Sequence, residues 1–443
     1  MPRALMTDLY ELNMAASYLR RDMREPATFS LFVRRLPPER GFLVAAGVEQ
    51  CLEFLEGFSF EPEDLEYLRA ELGYEEDTLA AFRELRFDGD VWAVPEGRIV
   101  HANEPLLEVT ASLPVAQLVE TYLLNQVTFQ TTIASKAARC RLASGGKDLV
   151  DFSFRRTQGT EAAMAVARVT GIVGFAATSN VEAARRHGLR ATGTMAHSYV
   201  EAFPGEAEAF RAFAVDFPDR AVFLVDTYDT ANGVRTAIEV IRDLELDDRL
   251  GIRIDSGDLD ALARQSRAML DEAGLPSVRI VASGGLDEHD VDRLVRAEAP
   301  IDAFGVGTKM GVSADAPYLD SVYKLVSYAD RPVLKLSAGK STAPGAKQVF
   351  RGDDGDVIGL REEPTLAGTE PLLVPVVRGG KRVGDHSAVA DARARFEADL
   401  GRLPEPARRL TTPEPFRVPF SDALERLTAA ARANALQRSG AQP

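Results

Sequence analysis

The chain has few residues that could build a disulfide framework or a thiolate metal site. Its 443 residues include two cysteines, one tryptophan and five histidines. Cys51 and Cys140 are too few for a disulfide scaffold or a four-cysteine zinc site, and they predict packed thiols in a reducing compartment. No apolar run is long enough to cross a bilayer, and acidic residues follow Met1 too closely for a secretion signal. We therefore expect a cytoplasmic protein with no membrane partner.

Positive charge is also scarce. Lys and Arg total 52 against 67 Asp and Glu, which gives a formal net charge of -15. Because a negative surface repels a phosphate backbone, we expect no nucleic-acid partner. Any anionic ligand must then be bound by cations or backbone N–H groups concentrated at one place. The apolar fraction of 45% is sufficient for more than one hydrophobic core.

Strand patterns and helix patterns alternate from Lys147 onward. Strands that alternate with helices at this spacing need right-handed crossovers and a parallel sheet. The fold class that this predicts is α/β, with an irregular parallel β/α barrel of about seven strands. The predicted strands are Leu149–Phe152, Ile172–Phe175, Ala191–Met195, Ala221–Asp226, Leu250–Asp255, Val278–Ser283 and Ile301–Val306.

Shorter strand patterns separated by Gly and Pro turns occur on both sides of the barrel, at residues 89–110 and 332–377. Because both segments have this pattern of short strands and turns, we predict that C-terminal strands complete an α+β N-terminal domain. The predicted domains are residues 1–128 (N-terminal α+β), 129–322 (barrel), and 323–443 (C-terminal strands and helices packing on the N-terminal domain).

Reactive side chains gather where the predicted strands end, which is the edge at which parallel barrels bind ligands. His197 follows the strand at 191–195. Phe152 and Arg155 combine an aromatic face with a guanidinium group, which suits a flat anionic ring or a phosphate. The alternatives are that Phe152 belongs to the core and that His197 only hydrogen bonds a loop.

Two further strand ends carry polar groups. Ser179 stands at a helix start, where hydroxyl and backbone N–H groups can bind a carboxylate, although ordinary N-capping explains the same residues. Arg253 and Asp255 share one face of a strand that otherwise looks buried. Buried charges are costly unless they are paired or functional, so a structural ion pair is the alternative here.

The last two predicted strands end in glycine turns, Ser283-Gly284-Gly285 and Gly307-Thr308. Barrels often bind phosphate through the backbone N–H groups of such turns. Two turns within reach of Arg253 predict a phosphate site. The sequence contains no zinc-ligand spacing, Walker loop or dinucleotide-binding glycine motif. The residues alone therefore predict a barrel enzyme acting on a phosphosugar or nucleotide.

Six motifs, in the expected order and covering most of the chain, resemble nicotinate phosphoribosyltransferase, a type II phosphoribosyltransferase. They are Thr7-Asp-Leu-Tyr10-Glu, Asp151-Phe-Ser-Phe-Arg155-Arg, Gly193-Thr-Met-Ala-His197-Ser, Ile254-Asp-Ser-Gly-Asp258, Phe304-Gly-Val-Gly-Thr308 and Lys335-Leu-Ser-Ala-Gly-Lys340 through Pro344-Gly-Ala-Lys-Gln348. The resemblance implies that nicotinate and phosphoribosyl pyrophosphate form nicotinate mononucleotide and pyrophosphate in NAD salvage. It also implies ATP as co-substrate, a requirement for Mg²⁺, and a homodimer with shared active sites.

The resemblance further implies roles for single residues. The nicotinate-binding residues would be Tyr10 of one subunit with Phe152, Arg155 and Ser179 of the other. The catalytic residues would be Arg253, Asp255 and His197, the last being phosphorylated by ATP. The 5'-phosphate would be held by Ser283, Gly284, Gly285, Gly307 and Thr308. Metal ligands stay unknown, and open candidates for further contacts are Arg34 or Arg35 in the partner's site and Lys335, Lys340 and Lys347 at phosphate.

Three alternatives stay open. A nicotinamide-specific relative would need an acidic acceptor for the amide, and the loop Thr178–Asn180 has no acid. A quinolinate phosphoribosyltransferase would need a more basic pocket, and a barrel lyase on a phosphosugar would use the amine of Lys309. Ser153 stands where the family usually has glycine, and a side chain crowding the ring there would weaken nicotinate binding.

Overall fold

The computed structural model describes residues 4–246, 250–337, 342–353 and 355–439. The chain forms two compact units, Met1–Thr132 with Tyr318–Pro443, and Ile133–Pro317. The first unit is built from both ends of the chain, and the second is inserted between them. The predicted α/β class, with a parallel barrel-like sheet and an α+β part completed by C-terminal strands, is confirmed. The bounds of the three predicted domains stay a prediction.

The N-terminal part of the first unit begins with a helix and contains five strands. Its helices, the last of which runs past residue 132, are α1 (Leu9–Arg20), α2 (Val48–Glu56), α3 (Pro62–Ala70), α4 (Glu76–Glu84), α5 (Leu113–Leu118) and α6 (Glu120–Ala143). Its strands are β1 (Pro26–Val33), β2 (Leu43–Val44), β3 (Asp90–Ala93), β4 (Ile99–Val100) and β5 (Pro105–Ser112).

The inserted unit alternates strands with helices. Its strands are β6 (Asp148–Asp151), β7 (Ala177–Thr178), β8 (Val222–Leu224), β9 (Gly251–Ile254), β10 (Arg279–Ala282) and β11 (Ala303–Val306). A 3₁₀ turn spans Phe154–Arg156. Its helices are α7 (Thr160–Ile172), α8 (Val181–His187), α9 (His197–Glu201), α10 (Glu206–Asp216), α11 (Thr230–Asp243), α12 (Leu259–Glu272), α13 (Glu288–Arg296) and α14 (Thr308–Gly311).

The C-terminal part returns to the first unit. Its strands are β12 (Ser321–Tyr328), β13 (Arg331–Pro332), β14 (Lys347–Gly352), β15 (Gly355–Leu360), β16 (Thr369–Pro371), β17 (Val374–Arg378) and β18 (Lys381–Arg382). Its helices are α15 (Val389–Arg402), α16 (Glu405–Arg408) and α17 (Asp422–Ser439).

The large sheet of the first unit is antiparallel, with strand order β13-β12-β1-β5-β3-β17-β18. Strand β1 pairs with β5 on one side and with β12 on the other. Its inward residues reach a core shared by both parts of the chain, where Phe29 stacks on Tyr323 with ring centroids 4.8 Å apart. Burying each such ring contributes about 1.5–3 kcal/mol, so the C-terminal strands stabilise the N-terminal ones.

The sheet of the inserted unit is parallel and curls as a half-barrel, with order β7-β6-β11-β10-β9-β8. Its central strands are apolar because both faces are covered, and Ile252, Ile280 and Phe304 are fully buried. The helices after β8, β9 and β10 each begin at an Asp cap. Asp229, for example, accepts a hydrogen bond from the backbone N–H of Asn232 at 2.9 Å. These caps fix the carboxyl edge of the sheet.

Two predicted strands are wrong. Residues 172–175 instead end helix α7: Gly174 is left-handed, its N–H bonds Gly171 O, and the N–H of Phe175 bonds Thr170 O at 3.0 Å. This is a Schellman cap, so the apolar run packs as a helix end, and the strand starts later at Ala177. A short apolar run by itself does not show whether a segment forms a strand or the end of a helix.

The second wrong strand is Ala191–Met195. Only Ala191 forms a parallel bridge, to Thr178, while the rest of the segment is irregular. Gly193 offers no side chain to pack, and Met195 is the only one of these five residues that is buried. The segment therefore lies beside β7 as a loop that leads to His197.

Candidate active site

The ring of Phe152 lies directly on the backbone of strand β11. Phe152 follows β6, and its N–H donates to Val306 O at 2.8 Å. A Cβ atom added at Gly305 would lie 2.6 Å from two carbons of this ring. Only glycine therefore lets the ring rest there, and Phe152 is half-buried rather than part of the fully buried core.

Behind the ring, Asp151 organises the loop. Its carboxylate accepts from Ser153 Oγ at 2.6 Å and from Thr178 Oγ1 at 2.8 Å. Burial raises the pKa of Asp151, and the bonds from Ser153 and Thr178 oppose that shift. Ser153 is fully buried and packs against Gly311. A Cβ atom added at Gly311 would lie 2.5 Å from the Cβ atom of Ser153. The serine at this position therefore points into the fold, where it is held by Asp151.

Arg253 and Asp255 form a linked pair at the end of β9. Arg253 Nη2 lies 3.2 Å from Asp255 Oδ1, and Nη1 donates to Thr194 Oγ1. The Arg253 guanidinium also lies 5.7 Å from the centre of the Phe152 ring, and Ser283 Oγ donates to Asp255 Oδ1. Arg253 Nε has no hydrogen-bond partner in the described part of the chain. The pair predicted from the sequence thus connects three strand ends.

Asp226, at the end of β8, is a residue that the sequence analysis did not single out. Its Oδ2 accepts from the backbone N–H of Asp255 at 3.0 Å and from Ser256 Oγ at 2.6 Å. Its Oδ1 is buried and finds no partner among the described residues. The available signal was its place as the last residue of a predicted strand. Asp226 holds the loop that carries Asp255.

His197 is the first residue of α9 and lies near the same loop. Its Nδ1 is 3.2 Å from Thr227 Oγ1, and its Nε2 is 3.9 Å from Asp255 Oδ2. The side chain is 40% exposed. A hydroxyl on Nδ1 orients the ring, and Nε2 stays reachable on the side of Asp255.

The two glycine turns follow β10 and β11. At Gly284, φ is +102° and an added Cβ would lie 1.9 Å from Asp255 O, so no side chain fits. Ser283 is buried, whereas the Gly284 and Gly285 turn is exposed. Gly307 precedes α14, in which Thr308 is the first residue. Backbone of this kind, without side chains, leaves N–H groups approachable by an anion.

Arg155 and Ser179 lie on loops after neighbouring strands. Arg155 is exposed on the 3₁₀ turn, and within the described ranges it has no ion-pair partner. Ser179 donates its N–H to Asp151 O at 2.9 Å, and the helix cap is its neighbour Asn180, whose side chain accepts from Ala183 N. Capping therefore explains Asn180 but leaves the hydroxyl of Ser179 free for a ligand.

Lys309 is not poised as an amine nucleophile. Its Nζ lies 2.7 Å from Asp287 Oδ2 and 3.3 Å from Asp290 Oδ2. The hydrogen bond from Lys309 to Asp287 raises the pKa of the amine, whereas a lysine that forms an imine needs a lowered one.

In the first unit, Tyr10 lies on α1 with half of its surface exposed. Arg34 and Arg35 both pair with Asp320, at 3.5 and 3.0 Å. Lys335 is exposed, whereas Lys347 is buried against Glu108 at 3.2 Å and is not free to bind phosphate. Lys340 lies outside the described residues.

Comparisons with known proteins identify relatives of the whole chain. Residues 5–128 match the nicotinate phosphoribosyltransferase N-terminal domain, and residues 148–396 match the nicotinate phosphoribosyltransferase family. A nicotinate phosphoribosyltransferase of Mycobacterium tuberculosis is 46% identical over 414 residues, which cover 92% of this chain and 89% of the relative. One of Bacillus subtilis is 45% identical over 378 residues, 81% of this chain and 76% of the relative.

Among solved structures, human nicotinic acid phosphoribosyltransferase superposes with a TM-score of 0.86 at 29% identity, over 96% of this chain and 99% of the human chain. A curled parallel sheet with reactive groups at its carboxyl edge defines an α/β-barrel enzyme. The matches over both parts of the sequence are more specific, and the chain belongs to the nicotinate phosphoribosyltransferase family. Within the described ranges, no helix is long and apolar enough to cross a bilayer.

Proposed function

We propose that the protein transfers the phosphoribosyl group of phosphoribosyl pyrophosphate to the ring nitrogen of nicotinate, releasing pyrophosphate. The product is nicotinate mononucleotide, a precursor of NAD. The observation that carries the proposal is the cluster of Arg253, Asp255 and Ser283 beside the ring of Phe152. In a member of this family, that cluster offers a stacking face for the base and hydrogen-bonding groups for the sugar.

The nicotinate carboxylate would be bound by Arg155 and Ser179. Both groups are donors, which a carboxylate requires and which a neutral amide uses less well. Asp151, the acid that precedes Phe152, is buried with its two oxygens occupied by Ser153 and Thr178. It is therefore not free to accept from the amide of nicotinamide, and this supports nicotinate as the base.

The reaction needs position and charge more than a protein nucleophile. As the bond to pyrophosphate breaks, positive charge develops on the sugar ring, and the base nitrogen must already face the anomeric carbon. Phe152 and Arg253 would orient the base, and the Asp255 carboxylate would hold the ribose hydroxyls. The turns at Ser283–Gly285 and Gly307–Thr308 would fix the 5'-phosphate.

ATP would act through His197. Phosphorylation of this ring would add negative charge beside the loop of Asp255, and the resulting change in loop order would favour substrate binding. The His197 side chain is 40% exposed, which supports this role.

Magnesium would accompany the pyrophosphate. The residues present fit such an ion, because Asp226 Oδ1 is a buried carboxylate oxygen without a partner in the described chain, and magnesium prefers oxygen ligands. Asp226 and Asp255 are the residues that would hold it. When bound, the ion would neutralise charge on the leaving pyrophosphate.

The active form would be a homodimer. By this proposal, Tyr10 of the partner subunit stacks over the pyridine ring opposite Phe152, and Arg34 or Arg35 of the partner subunit reaches the phosphates. Met6, Leu9 and Tyr10 are large apolar side chains that lie close together in the sequence and are each about half exposed, which supports a surface that a second copy covers.

The test is pyrophosphate release from phosphoribosyl pyrophosphate and magnesium, with nicotinate, nicotinamide or quinolinate offered separately, each with and without ATP. We expect release with nicotinate, strengthened by ATP. Release only with one of the other two bases would overturn the assignment of the substrate.

His197→Ala should lose the stimulation by ATP and keep slow basal turnover. The matched control is His386→Ala, because His386 is 70% exposed and lies in the other unit. It should respond to ATP as the wild type does. An ATP effect that survives His197→Ala would refute the role of this residue.

A further inference from the structure

Glu11 is a buried carboxyl that the proposed reaction does not use. It follows Tyr10 on α1 and is 0% exposed. The Tyr10 hydroxyl donates to Glu11 Oε1 at 3.0 Å, and Thr7 Oγ1 lies within hydrogen-bond distance of Oε2. Thr7 Oγ1 also lies 3.1 Å from Leu118 O. One carboxyl thus ties the exposed tyrosine to the buried side of its helix.

Three hydroxyl groups surround the Glu11 carboxyl. Thr7 Oγ1 donates to Oε2, and the Tyr10 hydroxyl donates to Oε1. Thr121 Oγ1 lies 2.7 Å from Asp8 Oδ2 and 2.9 Å from Glu11 Oε1, so its single hydrogen serves only one of these two carboxyl groups. Glu11 is therefore a buried acceptor toward which the Tyr10 hydroxyl is directed.

Several ionisable groups surround the Glu11 carboxyl. Burial raises the pKa of Glu11 to about 7, and the charge of Glu120 adds to the shift, while bonds from Thr7, Thr121 and Tyr10 oppose it. The ionisable groups facing this site are Asp8 and Tyr10 from α1, Glu120 from α6, and Tyr323 and Lys324 from β12. Lys324 interacts with Glu120, so it does not neutralise Glu11.

We propose that Glu11 is a positioning residue for nicotinate, whose buried carboxyl accepts from the Tyr10 hydroxyl and so fixes the face that the tyrosine ring presents to the base. The inference rests on the proposed function, in which Tyr10 closes the site of a second copy. A tyrosine fixed beforehand loses less conformational freedom on binding, and a side chain left free weakens affinity by roughly two- to tenfold. The effect falls on KM for nicotinate, since Tyr10 touches no reacting bond.

The experiment measures KM for nicotinate and kcat between pH 6 and 8.5, with phosphoribosyl pyrophosphate saturating. Glu11→Gln should keep the wild-type KM, because an amide can donate to Thr7 and accept from Tyr10. Glu11→Ala should raise KM by about three- to tenfold with kcat within twofold. Tyr10→Phe should raise KM similarly, and adding it to Glu11→Ala should have no further effect.

The outcomes separate the two proposals. A wild type that releases no pyrophosphate with nicotinate overturns the proposed function and this inference with it. An active wild type, together with an unchanged KM in Glu11→Ala or a loss in kcat alone, overturns only the role of Glu11. Glu11→Gln behaving like Glu11→Ala overturns the role of the hydrogen bond from Tyr10, because an amide oxygen can still accept it. If Glu11→Ala does not fold, Tyr10→Phe still decides, because an unchanged KM for nicotinate in that variant refutes the inference.

Discussion

Replacing Gly305 by alanine should displace the ring of Phe152. The new methyl group would lie 2.6 Å from Cδ2 and Cε2 of the ring and 3.2 Å from Ser283 Cβ. Carbon atoms in ordinary contact are about 3.5–4.0 Å apart, so the ring must retreat by about 1 Å. Overpacking of this kind costs about 1–3 kcal/mol of folding stability. The nicotinate face of the site should therefore move while the sheet survives.

Two assays measure this change. Thermal unfolding should show a lower Tm for Gly305→Ala, and steady-state kinetics should show a raised KM for nicotinate. Misplacing a reacting group by about 1 Å can cost on the order of 100-fold in rate, so kcat/KM for nicotinate should fall by about 10- to 100-fold. The loss for phosphoribosyl pyrophosphate binding should be smaller, because the proposed phosphate turns bind through backbone N–H groups rather than through the ring.

The matched control is Gly193→Ala in the same unit, where an added Cβ would meet no atom within 4 Å. It should leave Tm unchanged. A Gly305→Ala protein with wild-type Tm and wild-type KM would show that the ring does not rest on β11, and the geometry of the base site would have to be abandoned.

Three further predictions concern other residues. Burial lowers the pKa of His101 to about 4, so its contribution to stability, complete above pH 6.5, is lost as pH falls toward 4. Between pH 7 and pH 5, the free energy of unfolding measured with denaturant should fall by about 2 kcal/mol less in His101→Phe than in the wild type. An equal fall in both proteins would contradict this. Asp226→Ala leaves the backbone N–H of Asp255 unpaired. For this variant, kcat/KM for phosphoribosyl pyrophosphate should fall at least about tenfold while Tm changes little. Unaltered kinetics would show that Asp226 does not belong to the site. Borohydride added with a phosphosugar should leave the mass of the Lys309 peptide unchanged, because the amine is ion-paired, and a trapped imine would revive the lyase alternative.

The sequence predicted the inserted unit best where strands are apolar on both faces. Strands β8 to β11 fall inside the predicted segments, because buried parallel strands form short apolar runs bounded by polar caps. The failures at 172–175 and 191–195 share another cause. In each case, hydrogen bonds specific to one place, a Schellman cap and a single bridge to Thr178, decided the structure, and periodicity does not encode them.

The site was partly predictable for the same reason. Arg253 and Asp255 could be found because two charges on one face of a buried strand contradict its apolar pattern. The anchoring role of Asp226 and the burial of Glu11 could not, since both depend on which distant parts of the chain pack against these residues. The size of Ser153 suggested that it could crowd the nicotinate ring. Its side chain instead points toward Asp151, and the sequence does not show this direction.

Because the first unit is built from both chain ends, its large sheet can be completed only late in protein synthesis. The ribbon of β1, β5 and β3 is complete after residue 112, yet its two outer partners, β12 and β17, begin only at Ser321 and Val374. At about 5–20 residues per second, a ribosome needs on the order of ten seconds or more to supply them. Throughout that interval both edges of the nascent ribbon are open to pairing with other chains. The last third of the protein is therefore also what ends its exposure to aggregation during synthesis.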